Sequence, residues 1–129
     1  MTNISGNAHE KTYFQNMNDN TLFQQHRDWL SQLDFYQDEI KIFQHELTQV
    51  VEKHPDYLSI IEHVEEYQRI FQKKLEKIDD LKHQIALHLK QEGAAALEEH
   101  EQLLARMGDL VKNFESLKKN FRRFASRND

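Results

Sequence analysis

The feature that most constrains this chain is a spacing. Leu22, His26, Trp29, Leu33, Tyr36, Ile40, Phe43, Leu47, Val50 and His54 follow one another at alternating steps of four and three residues. A 3.5-residue average keeps them on one stripe of a long helix, the a/d seam of a bundle or coiled coil. In a strand the odd steps would send them to opposite faces. The alternation returns at Tyr57, Ile60, Val64, Tyr67, Phe71, Lys74, Ile78, Leu81, Ile85 and His88. It appears a third time at His100, Leu103, Met107, Leu110, Phe114, Leu117, Phe121 and Phe124. Lys74 is the one Lys or Arg among these positions, and Leu75 beside it fills the gap.

The boundaries between stripes are set by local chemistry. Asp19, Asn20 and Thr21 are good N-caps, and Thr21 with Gln24 fits a capping box. Pro55 lacks an N–H and disfavours helical geometry at His54, while suiting the first turn of a new helix. Asp56 then suits the positive end of that helix's dipole. Near Gly93 the signal is weaker, because Ala94, Ala95 and Ala96 are strong helix formers. One continuous helix over 56–123 is therefore an alternative. Two observations favour a break. The heptad phase slips by one residue there, and Lys82, His88 and Lys90 precede Gly93 while Glu98, Glu99 and Glu101 follow it. A break also yields three helices of about 34, 36 and 31 residues, each near 50 Å at 1.5 Å rise. The expectation is an all-α, elongated, antiparallel up-down-up three-helix bundle over 20–127, with helices at about 20–53, 56–91 and 95–125. Residues 1–19, rich in Asn and poor in apolar side chains, read as a polar, partly disordered arm.

Composition closes off other classes. With 3 Gly and 1 Pro in 129 residues, a many-stranded β fold has too few places to turn. Cys is absent, so there is no disulfide scaffold, thiolate site or cysteine nucleophile. No apolar run approaches the roughly 20 residues of a membrane helix, and the N-terminus has no signal-peptide core. The expected location is cytoplasmic, with no membrane span. No Gly-rich phosphate loop, G-x-S-x-G or H-E-x-x-H occurs, and the five serines lack triad context. The Glu-x-x-His pair of di-iron bundles is missing too. In helical length and histidine content the chain is similar to hemerythrin-like oxygen carriers in outline only. It lacks the His and carboxylate spacing on four helices that their site needs, so nothing is carried over. The reading is a non-enzymatic helical interaction or scaffold module.

Three surfaces are candidates for binding. The first helix is too apolar for one seam. Phe23, Leu30 and Val51 flank it, and Phe35 and Ile42 lie on a further row that a three-helix bundle leaves in solvent. Phe23, Leu30, Phe35 and Ile42 are thus the expected contact for a protein partner or a homodimer, with cover by the arm as the alternative. Residues 112–129 carry Lys112, Lys118, Lys119, Arg122, Arg123 and Arg127 against Glu115 and Asp129, a basic amphipathic helix. Lys118, Lys119, Arg122 and Arg123 could meet an anionic surface. Against that stands neutralisation by Glu52, Asp56, Glu62, Glu65 and Glu66, and an overall charge of −5 makes nucleic acid an unfavoured partner.

The third candidate is histidine. Of 8 in the chain, His45 and His83 fall on outward positions and His63 on a flanking one. His26, His54, His88 and His100 occupy seam positions, where Leu or Ile is usual. His54 sits at the Pro55 turn, where exposure accounts for it. The other three come from three different helices. If the first hairpin is centred near Pro55, facing positions add to about 110. If the second is centred near Gly93, they add to about 187. On that register His26, His88 and His100 converge within one or two turns of one bundle end. Three neutral imidazoles can hold Zn²⁺, with water or Glu92 as fourth ligand. The plainer alternative is a polar layer that helps fix register. Either version makes that end acid-sensitive if burial favours the neutral rings.

Overall fold

Each apolar stripe becomes one helix. In the computed structural model, which describes residues 19–88 and 94–129, α1 runs Asp19–Lys53, α2 Leu58–His88 and α3 Ala94–Arg127. They pack as a three-helix bundle, with contacts between every pair of helices. Among the described residues no helix is long and apolar enough to cross a membrane. The expected polar arm, apart from Asp19, lies outside the described residues, and so do Glu92 and Gly93.

From His26 to Val50 every seam position of α1 is buried. On α2 the buried set is Val64, Phe71, Ile78, Leu81, Ile85 and His88. Ile60 and Tyr67 are half-buried. Leu75 packs against the core beside the half-buried Lys74, as the sequence suggests. On α3 the buried seam is His100, Leu103, Met107, Leu110, Phe114, Phe121 and Phe124. Large rings fill the half of the bundle toward the α1–α2 turn. Phe43 of α1, Phe71 of α2 and Phe121 of α3 meet with centroids 4.8–5.7 Å apart. Tyr36 and Phe114 approach to 4.2 Å nearer the middle. Such pairs add to the burial of their area.

Cross-helix ion pairs read out the register. Lys82 reaches Asp34 at 2.5 Å between α2 and α1. Arg106 joins Asp80 at 3.3 Å and also donates to Gln84 between α3 and α2. Lys118 joins Glu39 at 2.7 Å between α3 and α1. The Lys82–Asp34 and Arg106–Asp80 pairs are exposed enough to contribute little stability, but like charges brought together by a shifted register would be penalised. The α2–α3 register is the one expected from a turn centred near Gly93.

Two boundaries differ from expectation. Helix α2 does not start at Pro55–Asp56. Those residues are the centre of a tight turn in which the Tyr57 N–H donates to the His54 carbonyl at 3.3 Å. Pro is favoured at the second position of such a turn. The first bond of α2 then runs from the Ile61 N–H to the Tyr57 carbonyl at 3.1 Å. Tyr57, read as the first seam residue of this helix, is therefore outside it and 62 % exposed. Helix α3 continues to Arg127 rather than 125, because Asn128 closes its end. The Asn128 backbone N–H donates to the Phe124 and Ala125 carbonyls, and its side-chain amide donates to Phe124 O at 2.8 Å. His54 is half-buried rather than exposed. Its Nε2 donates to the Asn128 carbonyl at 3.0 Å, tying the α1–α2 turn to the end of α3.

Candidate metal centre

The opposite end of the bundle is polar inside. His26 on α1, His88 on α2 and His100 on α3 are buried, with 1 %, 2 % and 7 % of their surface exposed. Each replaces the branched aliphatic residue that a seam normally carries, so each ring points inward by the periodicity of its own helix. One ligand nitrogen from each ring lies within 4.8 Å of the other two. The ring centroids are 5.0 Å apart for His26–His88, 5.5 Å for His88–His100 and 5.7 Å for His26–His100.

Those separations can be compared with what an ion requires. A tetrahedral zinc with Zn–N near 2.05 Å places imidazole centroids about 5.2 Å apart and ligand nitrogens about 3.3 Å apart. The centroids already stand near that spacing. Bringing the nitrogens together therefore needs rotation of the rings more than movement of the helices.

Two of the rings meet no hydrogen-bonding partner among the described residues. Both nitrogens of His26 and both of His88 are buried with no hydrogen-bond partner among the described residues. Leaving a buried polar atom in that state typically costs about 1–3 kcal/mol. The indole of Trp29 stacks on His100 at 5.3 Å and lies 5.2 Å from His26, and only 9 % of this residue is exposed. Glu99 Oε2 approaches His88 Nδ1 at 3.9 Å. Burial disfavours the charged form of all three imidazoles. The His26 pKa is lowered from 6.5 to about 4, first by desolvation and then by repulsion from His88 and His100. Desolvation also lowers His88, with Glu99 acting in the opposite direction, and it lowers His100 with added repulsion from His88. Neutral imidazole is the form that binds metal.

The three histidines picked from sequence are thus brought together. Trp29 and Glu99 were given no part in the site by sequence reasoning. Trp29 was legible only as a seam residue one turn beyond His26, and Glu99 only as the position facing His88.

The other two candidate surfaces are placed differently. Leu30 is half-buried and packs against the core, so it does not belong to an outer row. Phe23, Phe35 and Ile42 are 52 %, 56 % and 57 % exposed. The Arg27 guanidinium lies 5.9 Å from the centre of the Phe23 ring. Lys118 leaves the basic patch because it turns toward α1 to pair with Glu39, both side chains being largely covered. Lys119, Arg122 and Arg123 are exposed. The chain matches no protein-family model, no curated protein and no solved structure.

Proposed function

We propose that this chain is a non-enzymatic helical module that binds one divalent transition-metal ion of the zinc class through His26, His88 and His100. The observation that carries this reading is the convergence of three buried imidazoles, one per helix, with ligand atoms within 4.8 Å of one another. Imidazole suits Zn, Cu, Ni and Fe, and an ion held by one buried ring from each helix would tie the three helices together. Cobalt(II), the spectroscopic stand-in for zinc, tests it. Titration of the metal-free protein should reach one equivalent with visible bands of tetrahedral intensity, and zinc should bleach them. The fluorescence of Trp29 should change at the same equivalence point. His26→Leu and His100→Leu should each abolish the bands. Absence of uptake by the wild type at micromolar metal would sink the reading.

A second reading rests on the exposure of Phe35 and Ile42, one face of α1 that no described residue covers. Exposed large apolar side chains on one helix face suit a protein partner or a second copy of the chain. Phe35→Glu with Ile42→Glu should convert a dimer to a monomer while helicity persists, as read by light scattering and circular dichroism. A wild type that is monomeric at high micromolar concentration excludes self-association through this face.

A further inference from the structure

Glu99 precedes His100 on α3, and its side chain is 29 % exposed. Its Oε2 stands 3.9 Å from His88 Nδ1, on the side of the ring that faces the α2–α3 cleft. A carboxylate can only accept. A neutral imidazole carries one N–H, so the ring best fits this neighbour with its proton on Nδ1, which leaves the Nε2 lone pair for an ion. Glu99 also lines a surface cleft between α2 and α3, together with Gln84, Glu98, Gln102, Leu103 and Arg106. The Arg106 guanidinium in that cleft is engaged by Asp80 and Gln84. The acidic side of the cleft therefore ends at the carboxylate that faces the buried ring.

We propose that Glu99 is the outer-shell carboxylate of the centre: closing in from its 3.9 Å separation, it accepts a hydrogen bond from the Nδ1–H of His88, fixes the tautomer and directs Nε2 at the metal. The proposal rests on the metal-binding reading above. Glu99 is a positioning residue that works through His88, in the arrangement by which metal-bound histidines are commonly oriented and made more basic. Neutralising such a carboxylate lowers metal affinity about 10–100-fold.

The test compares Glu99→Gln, Glu99→Asp and Glu98→Gln in the full chain. Zinc affinity is measured by competition with a chelator, and the His88 tautomer by ¹⁵N NMR of the metal-free protein. Glu99→Gln should weaken zinc binding about 10–100-fold while its metal-free melting curve stays close to wild type. Glu99→Asp should recover part of the loss. Glu98→Gln removes the same charge from the same cleft without touching His88, and should stay within a few-fold of wild type. The wild-type spectrum should show His88 protonated on Nδ1, and the Gln variant should show a shift toward Nε2. Equal losses in Glu98→Gln and Glu99→Gln would assign the effect to general charge and overturn the proposal. So would an Nε2-protonated His88 in the wild type. A wild type that binds zinc alongside an equally tight Glu99→Gln overturns the role of Glu99 alone. Failure of the wild type to bind zinc removes both readings together.

Discussion

Acidifying the metal-free protein from pH 7.5 to pH 4 should remove on the order of 3 kcal/mol of stability through His26 alone. Its pKa is about 4 in the folded chain against 6.5 for the solvated imidazole of the unfolded chain. Between those two values the unfolded state holds the extra proton, so stability falls as pH falls. The contribution is fully present above 6.5, is lost progressively below it, and is exhausted near pH 4. Each unit of difference is worth about 1.36 kcal/mol, which sets the magnitude. His88 and His100 act in the same direction, since burial lowers both, while Glu99 moderates the effect at His88. The three rings repel one another once charged, so they titrate as a set and the loss is steeper than for one isolated group. Urea denaturation of wild type and His26→Leu at pH 7.5 and pH 4.5 measures it. The variant should lose distinctly less than the wild type. Equal losses would mean that His26 is not held neutral by the fold.

The same substitution should raise the stability of the metal-free protein at neutral pH as well. Metal-free His26→Leu is expected to be more stable than wild type by about 1–3 kcal/mol. Leu has nearly the right volume for a seam position, and it removes two buried nitrogens that have no hydrogen-bond partner among the described residues. Wild type in zinc at 100 times its dissociation constant should gain about 2.7 kcal/mol, and the variant should gain nothing. Gain without metal and loss of the response to metal is the pattern of a residue kept for a function at the expense of stability. Thermal melts with and without zinc, at fixed protein concentration, give both numbers. A metal-free His26→Leu that is less stable than wild type by more than about 1 kcal/mol would point instead to a structural polar layer, its nitrogens satisfied by bound water.

Much of this end of the molecule was legible because helical periodicity and hairpin register are both local rules. A stripe of 3.5-residue spacing says which side chains face inward, and the position of the turns says which levels coincide. That is why His26, His88 and His100, far apart in sequence, could be expected at one level of the bundle. The same rules failed where a residue had two ways to satisfy its chemistry. Pro55 suits both the first turn of a helix and the second position of a tight turn. The bond from Tyr57 to His54 shows which one forms. The position of His54 before Pro55 predicts a solvated ring, yet the end of α3 supplies a carbonyl for it.

Side-chain period and turn positions are enough for the inward face of each stripe and the level at which the histidines meet, while the weak signal near Gly93 allows either one helix or two over 56–123. Tertiary structure decided everything that depends on a neighbour from another helix. Leu30 is covered because the core reaches its flank of α1. Lys118 is taken from the basic surface because Glu39 stands across from it on α1. Trp29 and Glu99 join the histidines because packing brings an indole face and a carboxylate within reach of rings on other helices. Periodicity fixes only the direction in which a side chain leaves its own helix. What it meets there is set by the depth and rotation of two further helices, and no local rule carries that information.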